Sequence, residues 1–210
     1  MPNAKKLSEI AQQVKNCQRC PLYKNATNGV PGEGNPNAQI LFIGEGPGYY
    51  EDQEGRPFVG RAGKLLTRSI ESIGLKREEV FITNVVKHRP PENRDPTPGE
   101  IDACNVWLDK QIEILKPKLI VTLGRYSLGK FIPNRSISQI HGKVQNIEDQ
   151  LILPMYHPAA ALRNGNIMDL FEQDFKLITK IMDLSNNKID EDNGEDEKNS
   201  NNGSQQLNFF

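Results

Sequence analysis

The sequence predicts an α/β protein of three layers (αβα), in which helices cover both faces of a central, mostly parallel four-stranded sheet. Two observations support this fold class. Short apolar runs, typical of buried strands, alternate along the chain with segments whose apolar residues recur at helical spacing. Strands that alternate with helices form parallel sheets, and their functional groups lie on loops at the carboxyl ends of the strands.

The predicted elements follow one another in a regular order. Helical spacing marks three segments: Leu7, Ile10, Ala11 and Val14; Leu65, Leu66, Ile70 and Ile73; and Ile167, Leu170, Phe171, Asp174, Leu177, Ile178 and Ile181. Apolar runs indicate strands at residues 40–43, 80–86 and 119–123 and a pair of strands at 142–147 and 151–155. No internal repeat interrupts this order, so a solenoid is not expected.

Charge is distributed unevenly along the chain. The 210 residues include 26 basic and 27 acidic side chains, a net charge of −1. Residues 186–210 hold six acidic and two basic side chains, which leaves +3 for residues 1–185. That tail has few apolar residues, so burial cannot offset the entropy of ordering it. We expect a folded domain over residues 1–185 and a disordered acidic tail over residues 186–210.

The apolar runs are too short to cross a bilayer, and the first residues lack the apolar core of a signal peptide. The sequence therefore predicts a soluble cytoplasmic protein without a membrane partner. Three cysteines cannot form a closed disulfide framework, and the Cys17-x-x-Cys20 pair indicates metal or redox chemistry in a reducing compartment. The mildly basic domain permits nucleic-acid binding without requiring it.

The loop after the first predicted strand combines glycines with acids. Gly44, Gly46 and Gly48 allow the backbone to approach a ligand closely, and Glu45 and Glu51 place carboxylates at the same position. A tight strand-to-helix turn with solvated acids explains the pattern equally well. The spacing matches neither a dinucleotide-binding fingerprint nor a phosphate-binding loop.

Two further loops carry groups suited to a planar ligand. Phe58 lies in the Pro- and Gly-flanked segment 55–60, where its ring either fills the core or offers a stacking surface for a base. Asn84 lies near the end of the strand at 80–86, where its amide either caps a turn or reads the hydrogen-bonding edge of a base.

The fourth loop begins at the end of the last apolar strand. His157 is followed there by Pro158 and small residues, and then by Leu162 and Arg163, an apolar wedge beside a cation. A lone histidine is more often structural than catalytic. Together, however, the four loops offer an acid, an aromatic ring, an amide and an imidazole, all at strand ends.

These motifs resemble those of family 4 uracil-DNA glycosylases, the thermostable iron–sulfur branch of archaea and bacteria. The resemblance covers residues 7–180 and rests on four ordered motifs, at 44–60, 83–87, 89–98 and 157–163. It implies a uracil-DNA glycosylase-like fold with a parallel sheet between two helical layers. It also implies a DNA-repair enzyme that flips uracil out of DNA and hydrolyses its N-glycosidic bond, leaving an abasic site.

The resemblance assigns substrate-binding roles to three residues. Phe58 stacks on the flipped base, Asn84 binds O4 and N3 of uracil and so rejects cytosine, and Gly46 lies with them at the substrate. The DNA-binding pair is Leu162 and Arg163, which fill or flank the hole that the flipped base leaves in the duplex.

Three residues are implied to be catalytic. His157 stabilises the departing uracil anion near O2. Glu45 and Glu51 orient the attacking water or favour the cationic sugar, and Glu51 in addition crowds C5 to exclude thymine. The sequence leaves the division of roles between the two acids open.

A metal site follows from the same resemblance. The family holds a 4Fe-4S cluster on four cysteines, whereas this chain supplies Cys17, Cys20 and Cys104 and has His88 where the remaining cysteine is expected. We expect a structural 4Fe-4S cluster with Cys3His ligation. Zinc is the alternative, since three cysteines and a histidine form an ordinary tetrahedral site. A third reading is an incomplete cluster with His88 merely nearby.

The same resemblance implies a DNA substrate, and the sequence leaves two other functions open. Uracil-containing DNA is the substrate, the protein is expected to be a monomer, and residues 205–210 resemble a sliding-clamp-binding motif with altered spacing. One alternative is a related glycosylase for another damaged base, including one trapped covalently through a histidine. Another is a non-catalytic, metal-containing module that binds nucleic acid.

Overall fold

A six-stranded sheet forms the centre of the molecule. The computed structural model describes residues 2–199, with side chains described as far as residue 184. The strands are β1 (Glu33–Gly34), β2 (Ile40–Gly44), β3 (Phe81–Asn84), β4 (Leu119–Leu123), β5 (Gln145–Ile147) and β6 (Gln150–Met155). Their order across the sheet is β1-β3-β2-β4-β6-β5.

The four inner strands, β3, β2, β4 and β6, run parallel and correspond to four of the predicted strand segments, and β5 lies in the fifth, at 142–147. Every residue of β2 and β4 is buried, which explains why both strands are continuous apolar runs without alternation. Strands β1 and β5 extend this sheet at its two edges as antiparallel neighbours. Because β1 has two residues, no periodicity in the sequence could indicate it.

Helices cover both faces of the sheet. They are α1 (Pro2–Lys15), α2 (Tyr49–Glu54), α3 (Arg61–Ser72), α4 (Pro98–Leu115), α5 (Arg125–Phe131), α6 (Ile137–Ile140), α7 (Pro158–Ala161) and α8 (Gly165–Asn199). Helices α3, α7 and α8 pack together on one face, and α1 and α4 pack together on the other. The three-layer α/β fold is therefore confirmed.

Each face of the sheet has its own apolar core. On the side of α3 and α8, the rings of Phe42 and Phe175 stack with their centroids 5.8 Å apart. On the side of α1 and α4, the side chains of Val14, Leu41 and Leu108 are completely buried. These two cores fix the sheet between its helices and so hold the ends of the parallel strands in place.

Helix α4 begins with a reciprocal cap. The hydroxyl of Thr97 accepts a hydrogen bond from the Glu100 N–H, and the Glu100 carboxylate accepts one from the Thr97 N–H at 2.8 Å. Pro98 occupies the first turn, where its missing N–H costs nothing. This cap fixes the helix that carries Cys104.

Helix α8 continues past the predicted domain boundary at residue 185 and ends at Asn199. The side chains after residue 184 and residues 200–210 lie outside the described part of the chain, and so does the predicted clamp-binding end at 205–210. The boundary and the tail therefore stay predictions. Among the described residues, no helix has the length and apolarity needed to span a membrane.

Candidate active site

A cavity of about 230 Å³ opens where the inner strands end. Six residues that the sequence singled out line it together: Glu45, Gly46, Glu51, Phe58, Asn84 and His157. They belong to the segments after β2 and β6, to the last residue of β3, to α2, and to the loop before α3. The parallel sheet brings them together because the carboxyl ends of its strands share one edge.

Phe58 has an unusual backbone conformation, with a φ of 51°. Its side chain is 6% exposed, and its ring centroid lies 5.7 Å from that of His157. The loop requires glycine at position 63, where a methyl group would overlap the Phe58 carbonyl group. A left-handed backbone at a residue other than glycine costs about 1–3 kcal/mol and is concentrated at functional sites. The fold thus holds this ring at the cavity despite local strain.

Asn84 carries a buried acceptor without a partner. Its Oδ1 accepts no hydrogen bond from any described residue, and the side chain is 2% exposed. Asn84 lies opposite Gly44 in the β2–β3 register, and a Cβ atom at Gly44 would collide with both Oδ1 and the Phe58 ring. A buried acceptor left unpaired costs about 1–3 kcal/mol. Oδ1 therefore marks a position where a ligand N–H would bind, and it does not cap a turn.

His157 is the N-cap of α7, and its Nδ1 accepts a hydrogen bond from the Ala159 N–H at 3.1 Å. Because Nδ1 accepts, the proton of the neutral imidazole lies on Nε2. Burial lowers the pKa of His157 to about 4; the Arg163 cation acts in the same direction and Glu51 opposes it. The ring is therefore neutral at pH 7 and offers Nε2–H as a donor.

The two carboxylates of the cavity are held differently. Glu51 Oε1 accepts hydrogen bonds from the Val59 N–H at 3.0 Å and the Gly60 N–H at 2.9 Å, which ties α2 to the loop before α3. Glu45 has no side-chain hydrogen bond to any described residue. Burial raises the pKa of Glu45, and the nearby Asp95 carboxylate raises it further. Backbone hydrogen bonds therefore hold the Glu51 carboxylate in place, whereas the Glu45 carboxylate has no hydrogen-bond partner among the described residues.

Comparison with known proteins identifies the family. A model of the uracil DNA glycosylase superfamily matches residues 31–179. The chain belongs to this superfamily. The type-4 uracil-DNA glycosylase of Sulfurisphaera tokodaii is 52% identical over 186 residues, covering 83% of this chain and 84% of the relative. Those of Saccharolobus solfataricus and Archaeoglobus fulgidus are 50% and 46% identical, covering 89% and 83% of this chain and 90% and 92% of the relatives. The type-4 resemblance is therefore confirmed.

Leu162 and Arg163 do not line the 230 Å³ cavity. Leu162 is the C-cap of α7, packs partly against the core beside α3 and α8, and lines a second, larger groove that also contains Phe58. Arg163 is exposed. The pair lies next to the cavity in the chain, but its contact with DNA stays a prediction.

The three cysteines share one environment. Cys17 and Cys20 pack against the core that contains Cys104. Burial raises the pKa of Cys104 to about 11; the Lys87 charge lowers it, and the other two thiols raise it. Cys104 Sγ accepts a hydrogen bond from the Lys87 N–H at 3.2 Å, and Cys17 Sγ accepts one from Trp107 Nε1–H at 3.3 Å. Thiols with N–H donors suit a thiophilic metal centre, in which hydrogen bonds to sulfur tune the metal.

His88 is buried and lies near Cys17. It lines a cavity of about 220 Å³ together with Cys17. A Cβ atom at Gly29 would lie 3.1 Å from His88 Nε2, so glycine leaves room at this nitrogen. Within the described part of the chain, no three His, Cys, Asp or Glu side chains lie in an arrangement that could already hold a metal ion. Type-4 glycosylases are generally associated with iron–sulfur clusters, and the donor types present fit such a group.

Lys87 supports the cavity through Asn84, and the sequence did not single it out for a role. Its side chain is completely buried. Its Nζ donates hydrogen bonds to Thr83 Oγ1 at 2.6 Å, to the Asn84 carbonyl at 2.8 Å and to Gln111 Oε1 at 2.8 Å. The only indication in the sequence is that this lysine directly follows the apolar strand at 80–86. A lysine in that position ordinarily marks the point where the chain returns to solvent.

Asn93 and Arg94 also line the cavity and were not assigned a role from the sequence. Asn93 has a φ of 56°, and Arg94 binds both oxygens of Glu100, at 2.9 and 2.6 Å. This pairing lowers the pKa of Glu100 to about 2. Both residues lie in the motif at 89–98, so the resemblance alone could have indicated them.

Proposed function

We propose that the protein excises uracil from DNA by hydrolysing the bond between the base and its sugar, with the extruded base held in the 230 Å³ cavity. The observation that carries the proposal is the convergence of Phe58, Asn84 and His157 on one cavity that contains an unpaired buried acceptor. The type-4 relatives are uracil-DNA glycosylases by name, which supports uracil as the substrate. The chain is a DNA-repair glycosylase of that kind.

The cavity suits a single extruded base. It is smaller than the roughly 300–1,000 Å³ of pockets for drug-sized ligands. Extruding a nucleotide from the duplex costs a few kcal/mol, which contacts in the pocket must recover. Stacking of the base on Phe58 supplies about 1–3 kcal/mol of this, and Gly46 lets the backbone approach the base closely.

Asn84 reads the edge of the base. Its Oδ1 accepts N3–H of uracil and its Nδ2 donates to O4, which removes the unpaired acceptor. Cytosine presents an amino donor opposite Nδ2 and lacks the N3–H, so it leaves buried polar groups of the cavity unpaired. Mismatches of this type discriminate by large factors, on the order of 10⁴ or more.

His157 assists departure of the base. Cleavage builds negative charge on uracil and positive charge on the sugar, and Nε2–H of the neutral imidazole donates to O2 as the charge develops. A preorganised donor of this kind contributes about 3–4 kcal/mol. A module that only binds nucleic acid needs no such donor, which argues against the non-catalytic alternative.

The two acids have separate roles in this proposal. Glu45, which has no hydrogen-bond partner among the described side chains, orients the attacking water and faces the cationic sugar. Glu51 is positioned by the Val59 and Gly60 N–H groups, so it maintains the loop that carries Phe58, and its other oxygen limits space at C5 of the base.

We propose that Cys17, Cys20, Cys104 and His88 hold a 4Fe-4S cluster, with zinc as the alternative. The cluster would supply structural crosslinking between the segment after α1, the segment after β3 and α4, and no step of base release uses an electron. The N–H···S bonds to Cys104 and Cys17 support thiolate ligation.

The remaining parts of the proposal concern partners and location. Uracil-containing DNA is the substrate, residues 205–210 bind a sliding clamp, Leu162 and Arg163 fill or flank the gap in the duplex, and the protein acts as a cytoplasmic monomer. Deleting residues 205–210 should abolish clamp association and leave uracil release intact.

The proposal is tested with a uracil-containing oligonucleotide, alkaline cleavage of the abasic product, and matched oligonucleotides that carry cytosine, thymine or another damaged base. We expect strand breaks at uracil, lost in Asn84→Ala and strongly reduced in His157→Ala, with melting temperatures close to that of the parent protein. Full activity in both variants would refute the site. Preference for another damaged base would refute the substrate.

A further inference from the structure

A groove of about 780 Å³ lies beside the cavity and shares Phe58 with it. Five cationic side chains line this groove against one carboxylate, that of Glu54. The cations are Arg56, Arg61, Lys64, Arg68 and Arg77. We call this surface the basic groove.

Two of the cations have a structural explanation and three do not. Arg56 and Arg77 both bind Glu33, each at 2.8 Å. Arg61, Lys64 and Arg68 are exposed and have no ion-pair partner among the described residues. Their positions i, i+3 and i+7 place them on one face of α3, opposite the side that buries Leu66 and Ile70. The free charge is therefore concentrated in a row along one helix.

From this placement we propose that the row formed by Arg61, Lys64 and Arg68 binds the phosphates of the DNA strand that carries the target base. The inference rests on the proposed function, because that function places the extruded base at Phe58, where the basic groove begins. A strand that delivers a base into the cavity continues along the protein surface on each side of it. On this side it meets three unpaired cations.

The dimensions agree with this occupant. Arg61 and Arg68 are separated by about 10 Å along the helix axis, which corresponds to about three phosphates of one strand of B-DNA at roughly 3.4 Å each. Leu162 lines the same groove. Leu162, which is predicted to fill the gap in the duplex, thus lies on the same surface as the three cations that we propose bind the phosphates.

The test measures how binding depends on salt. A fluorescein-labelled duplex with a non-cleavable abasic-site analogue is titrated with the full-length protein between about 50 and 200 mM salt, where each phosphate contact contributes about 0.9 to the slope of log K against log salt. For the variant Arg61→Gln/Lys64→Gln/Arg68→Gln we expect the slope to fall in magnitude by about 2 to 3.

Two control variants complete the design. Lys5→Gln/Lys6→Gln/Lys110→Gln removes three exposed cations from α1 and α4, on the other face of the sheet, and should keep the parent slope. Arg61→Lys/Arg68→Lys retains the charge and should also keep it. Equal slopes for the two triple variants would overturn the proposal, whereas absence of uracil release by the parent protein would overturn only the proposed function. Unchanged melting temperatures establish that each variant is folded.

Discussion

The ammonium group of Lys87 donates a hydrogen bond to the carbonyl of Asn84 at 2.8 Å. The backbone N–H of the same lysine donates to Cys104 Sγ at 3.2 Å. One residue therefore contacts both the backbone of the asparagine proposed to read uracil and a thiol proposed to bind the metal. Because the Lys87 side chain is completely buried, its three acceptors have no access to water as a substitute donor.

Replacing Lys87 with methionine tests this link. The change leaves acceptors on Thr83, Asn84 and Gln111 without their common donor, at a cost of about 1–3 kcal/mol for each buried group left unpaired. We expect a lower free energy of unfolding and a rate of uracil release reduced by at least about tenfold, since Asn84 loses its support. If the Lys87→Met variant keeps both the kcat of the parent protein and its discrimination between uracil and cytosine, Lys87 is only a packing residue.

The protonation of His157 gives a second prediction. Burial sets its pKa at about 4 in the folded protein, below the ordinary value of 6.5. The unfolded chain therefore binds more protons between these values, and the free energy of unfolding should fall as the pH is lowered from about 6.5 to about 4. In His157→Gln this part of the pH dependence should be missing. An NMR titration of the imidazole with a midpoint near 6.5 would contradict the assignment.

The two glutamates form a matched pair for mutation. Glu45→Gln should reduce the single-turnover rate by about 10²-fold or more, as expected for loss of a group that acts on the reacting water, with little change in melting temperature. Glu51→Gln weakens the contacts to two backbone N–H groups and should lower the melting temperature. The reverse pattern, an unstable Glu45 variant and a stable Glu51 variant, would refute the division of roles.

The strained loop at Phe58 provides a fourth test. In Gly63→Ala the new methyl group overlaps the Phe58 carbonyl group, so the loop must move and the ring leaves its place at the cavity. We expect a raised KM for uracil-containing DNA and a reduced kcat. Gly129→Ala on α5 is the control, because a Cβ atom there meets no atom within 4 Å. Equal losses in both variants would show that helical glycine alone is responsible.

Metal content gives the fifth prediction. The purified protein should contain iron and absorb visible light, and both signals should be lost in Cys104→Ser, with a reduced melting temperature because the crosslink to α4 is gone. His88→Cys should retain the iron, since it restores four thiol ligands. A colourless protein that contains one zinc ion per chain would refute the cluster and support the zinc site.

The sequence by itself predicted the inner sheet and most of the side chains that line the cavity. The parallel strands are buried on both faces, so their apolar runs are visible without any structure, and polar residues at their ends are conspicuous. Glu45, Asn84 and His157 could be selected in this way because strand ends of a parallel sheet meet at one edge. Lys87 could not, because a lysine is ordinarily exposed and its burial depends on acceptors distant in sequence, such as Gln111.

The tertiary structure alone decided the protonation state and the hydrogen bonding of these residues. The neutral tautomer of His157 depends on the Ala159 N–H and on burial in the cavity, and the engagement of Glu51 depends on a loop eight residues further along the chain. The unpaired acceptor of Asn84 and the row of cations on α3 are likewise consequences of which groups lie nearby. Composition and spacing specify which groups the chain contains, whereas hydrogen bonding and desolvation depend on distances that exist only after folding.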